Sequence, residues 1–150
     1  MTVSVQQADF DAGEEIRRLR LENPEAGAVV SFVGQVRDLN QGEEVASLTL
    51  EHYPGMTEKS LTAIITQAQQ RWAILDVTVI HRIGTLQPMD QIVLVAVSSA
   101  HRGEAFNACE FIMDYLKTEA PFWKKETTSS GEHWLAARDS DQSAKQRWHE

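Results

Sequence analysis

The chain has 150 residues, enough for one domain that removes roughly 70% of its unfolded surface from water without a disulfide or a metal. A net charge of −8 argues against general nucleic-acid binding, which needs a basic face, but leaves room for a small anion where cations are concentrated locally. A lone cysteine rules out an internal disulfide, and the longest wholly apolar run, Ile92 to Val97, falls far short of the ~20 residues that span a bilayer.

The N-terminal stretch lacks the apolar core of a signal peptide, so a cytoplasmic protein is expected. Val3 to Val5 predicts a short strand. Asp9 to Leu21 predicts a helix with Phe10, Ile16 and Leu19 on one face, capped by Asp9 or Asp11 and ended by Asn23-Pro24. Ala28 to Val36 is rich in β-branched residues and predicts a buried strand. Arg37 to Glu43 is a polar loop, and Val45 to His52 alternates as the next strand. After the Tyr53-Pro54-Gly55 turn, Thr57 to Trp72 is the clearest helix. Leu61, Ile64, Ile65, Ala68 and Trp72 form its apolar stripe, and Thr57 is the expected N-cap.

Asp76 to Ile83 alternates as a strand, with Val77, Val79 and His81 on one face. Gly84 to Asp90 is a turn, and Gln91 to Ser98, the most hydrophobic strand, belongs at the centre of a sheet. A second long helix spans Arg102 to Thr118 and buries Phe106, Cys109, Ile112, Met113 and Leu116. Phe122 to Thr127 and Glu132 to Ala136 form a hairpin around Ser129-Ser130-Gly131. The remaining tail is polar. From about residue 139 it is either a loose end or a segment that orders against a partner. Strands in pairs between helices imply an α+β domain over residues 1–150, with a mostly antiparallel sheet and two main helices.

The residues with chemical promise cluster between Ser98 and Glu126. His101 and Arg102 stand where a strand ends and a helix begins. The free N–H groups and dipole of that end, with the planar fork of Arg102, suit a phosphate; a solvated surface pair is the plain alternative. Lys117 borders the buried stripe of its helix, so its amine can reach a cleft as acid, base or nucleophile, or can simply complement the helix C-terminus. Lys124 and Lys125 point to opposite faces of their strand, so only one can share a cleft with Lys117. Arg37 and Arg138 each follow a strand, and from sequence alone they read first as surface arginines. Cys109 lies on the apolar face and reads as a core residue. The five histidines lack metal-ligand spacing, and the chain has no dinucleotide fingerprint, no phosphate-binding P-loop and no nucleophile elbow.

Several ordered segments then carry a resemblance. They are Ser31-Phe32-Val33-Gly34 through Val36-Arg37, Leu48 to Met56 (LTLEHYPGM), Val79 to Gly84 (VIHRIG), Ser99-Ala100-His101-Arg102, Phe111 to Lys117 (FIMDYLK) and Ala120 to Lys124 (APFWK). Together they resemble the MoaE family, the large catalytic subunits of molybdopterin synthase, over about residues 28–138. The resemblance implies an α/β-hammerhead fold and a homodimer. Each copy would bind a small ubiquitin-like sulfur carrier of the MoaD type, whose C-terminal Gly-Gly bears a thiocarboxylate, making a heterotetramer. Two sulfurs would be transferred to cyclic pyranopterin monophosphate to make the molybdopterin dithiolene, with no cofactor and no metal. It further implies Lys117 and Lys124 as catalytic residues, with Arg37, His101, Arg102 and Arg138 binding the anion, Arg138 from the neighbouring protomer. Phe32, Met113 and Glu126 would line the pocket. Gln35 departs from the basic residue expected at its position. The competing reading is a non-catalytic module that binds a ubiquitin-like tail or a phosphorylated pterin; only an enzyme needs Lys117.

Overall fold

The computed structural model describes residues 1–136 and 139–149. Two sheets carry the architecture. The first joins β1 (Thr2–Gln6), β5 (Ile74–Arg82), β7 (Gln91–Ser99) and β2 (Ala28–Gln35) in that spatial order; β1 runs parallel to β5, and the other pairs are antiparallel. The second joins β3 (Leu39–Asn40), β4 (Glu43–His52), β8 (Phe122–Thr128) and β9 (Gly131–Leu135), all antiparallel, with β6 (Gly84–Leu86) also on β4. The helices are α1 (Ala12–Glu22), α2 (Met56–Arg71), α3 (Arg102–Glu119) and α4 (Asp139–Gln146), the last continuing into a 3-10 turn, Arg147–His149. The fold is α+β with mostly antiparallel pairing, as the sequence pattern implies. No helix among the described residues is long and apolar enough to cross a membrane.

The central strand β7 explains the core. Its residues alternate between two faces, and both faces are covered. Val93, Val95 and Val97 join Val77 and Val79 of β5 against Leu61, Ile65 and Ala68 of α2 and Phe111 and Ile112 of α3. Leu94 and Ala96, on the opposite face, join Ile80 against Leu19 of α1. Burial on both sides is why this strand is one continuous apolar run, each full-sized aliphatic side chain contributing about 1.5–3 kcal/mol. A smaller cluster of Val36, Val45, Leu48, Leu50 and Leu86, with Ile92 packed against it, connects the second sheet to the first.

Local chemistry sets the helix ends. Asp11 Oδ1 accepts from the Glu14 N–H at 3.1 Å at the start of α1, and Asn23 Nδ2 donates to the Leu19 carbonyl at 2.9 Å at its end. At α2 the expected cap is corrected. The helix begins at Met56, and Thr57 is buried. Its hydroxyl donates to the Pro121 carbonyl at 2.9 Å and accepts from the Tyr53 N–H at 3.0 Å, tying the start of α2 to the link between α3 and β8.

Other differences from the sequence expectation have physical causes. The polar 37–43 stretch folds into a tight hairpin. Gln41 and Gly42 take φ of 52° and 83°, the left-handed pair that a two-residue hairpin turn requires. Gly84–Leu86, expected as turn, is a short strand because Leu86 is buried among Leu48 and Leu50. Phe106 is 58% exposed instead of buried, since the inner face of α3 is centred on Ala105, Ala108, Cys109 and Ile112, and one residue turns about 100° round the axis. The C-terminal segment lies against α3. Trp148 packs edge-on to Trp72 and Phe111, and its Nε1 donates to Asp114 Oδ2 at 2.7 Å. Arg147 pairs with Glu110 and Asp114, and Lys145 with Glu119.

Candidate active site

Helix α3 ends at Glu119, and Ala120-Pro121 links it to β8. A cavity of about 550 Å³ opens there, between the end of α3, the inner side of β8 and the end of β2. Lys117 enters it from the last turn of α3, Lys124 from β8, and Arg37 from the segment after β2. Strand parity decides which neighbouring lysine takes part. Lys124 lines the cavity with Phe122 and Glu126. Lys125 faces away, its Nζ 3.7 Å from Glu132 and 5.6 Å from the Trp134 ring.

Two polar groups form the interior of the site. Glu126 is only 8% exposed, and Asn40 Nδ2 reaches both of its carboxylate oxygens, at 3.2 and 3.1 Å. His81 on β5 is buried to 2% exposure and lines the cavity. Its Nδ1 lies 2.8 Å from the Arg82 carbonyl. A carbonyl only accepts, so Nδ1 carries the proton and Nε2 is left as an acceptor. Burial pushes the His81 pKa down to about 3, with Lys124 and Lys117 acting in the same direction against the Arg82 carbonyl. This imidazole is neutral at physiological pH.

The remaining expected site residues are placed as follows. Phe32 on β2 lines the cavity and is 41% exposed. Met113 is buried in the main core one turn before Lys117. His101 and Arg102 are exposed at the opposite end of α3 from Lys117, about 23 Å away at 1.5 Å per residue. Within one chain they do not share the cavity with the lysines. Arg138 lies outside the described residues. Cys109 is in the core, its Sγ donating to the Val95 carbonyl at 3.7 Å, and burial raises its pKa to about 12. The site has no thiol nucleophile of its own among the residues that line it.

Sequence reasoning did not assign Asn40, His81, Ser140 or Asp141, all of which line the cavity. His81 had a usable signal, an ionisable residue at an inward position of a buried strand. Asn40 offered only turn chemistry, and the two tail residues offered none. Chemically, two amines and a guanidinium around one cavity can hold an anion and deliver a proton, while the oriented Glu126 balances part of that charge.

Known proteins resemble this chain over most of its length. The family model described as "MoaE protein" matches residues 5–119. The chain is 62% identical to the molybdopterin synthase catalytic subunit of Ralstonia nicotianae over 98% of its own length and 84% of that protein. It is 57% identical to the same-named protein of Pseudomonas aeruginosa over the full length of both. The solved structure of a molybdopterin biosynthesis MoaE protein from Burkholderia ambifaria superposes with a TM-score of 0.85 at 55% identity, covering 99% of this chain and 98% of that one. With a matching family model over most of its length and relatives this similar end to end, the chain belongs to the MoaE family of molybdopterin synthase catalytic subunits.

Proposed function

We propose that the cavity holding Lys117, Lys124 and Arg37 is where this chain, a molybdopterin synthase catalytic subunit, transfers sulfur to cyclic pyranopterin monophosphate. The observation that carries this reading is the meeting of Lys117 and Lys124. They lie on different elements, yet they line one cavity that also takes in an arginine and a buried carboxylate.

The sulfur arrives on a partner, a small ubiquitin-like subunit whose C-terminal Gly-Gly ends in a thiocarboxylate. The word "subunit" in the relatives' names and the burial of Cys109 in this chain both support an external donor. The thiocarboxylate sulfur attacks a substrate carbon; a carbon–sulfur bond forms as a carbon–oxygen bond of the same carbon breaks, and the carrier is left joined to the pterin as an acyl thioester. Water then cleaves the acyl–sulfur bond, leaving the sulfur on the pterin and a carboxylate on the carrier. A second carrier repeats the transfer while the cyclic phosphate opens. Arg37 holds the phosphate, and Lys117 or Lys124 gives a proton to the departing oxygen.

His101 and Arg102 stand too far along α3 to act on the Lys117 of their own chain, so their share in anion binding falls to a second copy in a homodimer. The family resemblance gives Arg138 to the neighbouring protomer as well. Two large and two small subunits then make the heterotetramer. The setting is the cytoplasm, where a lone thiol stays reduced.

The test is single-turnover sulfur transfer with the purified chain, a thiocarboxylated ubiquitin-like carrier and cyclic pyranopterin monophosphate. Dithiolene product from the intact chain and none from Lys117→Ala is the expected result. No product from the intact chain, with the carrier bound, would favour a binding module instead.

A further inference from the structure

The carboxylate of Glu126 sits in an unusual setting. It is 8% exposed, on the inner face of β8, and shares that face with Lys124 two residues earlier. A carboxylate so buried needs hydrogen-bond donors, and a cation is the usual one. Among the described residues, the donor that reaches its oxygens is a neutral amide. Asn40 Nδ2 forks across both oxygens at 3.2 and 3.1 Å, from a position 86 residues earlier in the chain. An amide fixes the orientation of the carboxylate without cancelling its charge.

The backbone around Asn40 is built to hold it there. Asn40 pairs with Glu43 across the Gln41–Gly42 turn, whose two left-handed residues close β3 onto β4. Strand β4 is in turn hydrogen-bonded to β8, with Leu48 opposite Glu126. Arg37 lies three residues before Asn40 on the same short connection and lines the same cavity. One contact therefore joins the segment that carries Arg37 to the strand that carries Lys124.

We propose that Asn40 is a positioning residue: it aims the Glu126 carboxylate into the cavity beside Lys124 and locks the Arg37 segment to it. The inference rests on the sulfur-transfer reading above. Asn40 is itself part of the cavity wall, and the role assigned to it is exerted through Glu126. The residue type matters, because a lysine or arginine in its place would neutralise the carboxylate, and an aspartate would repel it.

The experiment compares Asn40→Ala with the exchanged pair Asn40→Asp/Glu126→Gln in the single-turnover assay, using intact chain, thiocarboxylated carrier and cyclic pyranopterin monophosphate. The exchange keeps a hydrogen bond between hairpin and β8 but moves the negative charge off β8. Asn40→Ala is expected to lower the saturated rate constant at least tenfold, about 1.4 kcal/mol of transition-state stabilisation. The half-saturating carrier concentration should stay within about twofold, because the change is not one of binding. The exchanged pair is expected to match the intact chain in thermal melting and still be slow. A rate for Asn40→Ala within twofold of the intact chain overturns the proposal. So does full rescue by the exchanged pair, which would make the contact a structural tie only; that second arm decides the matter even if Asn40→Ala folds poorly. If the intact chain makes no product at all, the sulfur-transfer reading fails first and takes this inference with it.

Discussion

His81 lies flat against Phe122, ring centroids 3.7 Å apart and planes 16° from parallel. The stack joins β5 of the first sheet to β8 of the second at the floor of the cavity, two residues from Lys124. It also keeps the imidazole out of water, and burial is the main reason its pKa falls to about 3. Below its ordinary value near 6.5 the unfolded chain binds a proton here that the native chain refuses. Stability therefore is fully present above pH 6.5 and declines as pH falls from 6.5 toward 3, at up to about 1.4 kcal/mol per pH unit. Urea unfolding across that range should show His81→Gln with a flatter acid limb than the intact chain. Parallel limbs would mean that other groups control acid unfolding.

Parity along β8 makes Lys124 and Lys125 inequivalent. Lys124→Ala is expected to lower single-turnover sulfur transfer by about 10²–10⁴-fold, the range for loss of a general acid. Lys125→Ala removes only a contact with Glu132 and the Trp134 face on the other side of the strand, and should stay within about threefold, as exposed ion pairs carry little energy. Reversed magnitudes would move the site to the opposite face.

Cys109 should be chemically silent in the native state. With its thiol raised to about 12, iodoacetamide at pH 8 is expected to leave it unmodified by mass spectrometry until denaturant is added. Cys109→Ala should retain sulfur transfer at a stability cost of about 1 kcal/mol for the lost sulfur atom. Loss of transfer in a folded variant would mean the sulfur passes through this chain after all.

Trp148 anchors the C-terminal segment whose residues Ser140 and Asp141 form part of the cavity wall. Its ring meets Trp72 and Phe111, and the Arg71 guanidinium donates to its carbonyl at 2.7 Å. Trp148→Ala should lower stability by about 2 kcal/mol, less than a fully buried tryptophan because this one is half-buried. Limited proteolysis should cut the C-terminal segment after β9 sooner in the variant than in the intact chain. Equal cleavage rates would show that the ion pairs of Lys145 and Arg147 hold it without the ring.

Local pattern decided much of this protein. The two-face burial of β7 is written in an uninterrupted apolar run, and the stripe of α2 in residues recurring at helical spacing, because both depend only on backbone period and the exclusion of apolar surface from water. The same period separates Lys124 from Lys125 before any fold is known. The ordered motifs around Arg37, Lys117 and Lys124 were legible as a family signature. Tertiary structure alone decided what those residues meet. Whether Thr57 caps a helix or bridges to Pro121, whether Gly84–Leu86 is a turn or a strand, and which group holds Glu126 all depend on long-range pairing, and no local rule encodes it. The clearest case is α3. Its sequence places His101 and Lys117 in one short stretch, but a helix is a rigid rod rising 1.5 Å per residue. It sends them to opposite ends of α3, while Asn40, 86 residues away from Glu126, is brought within a hydrogen bond of it.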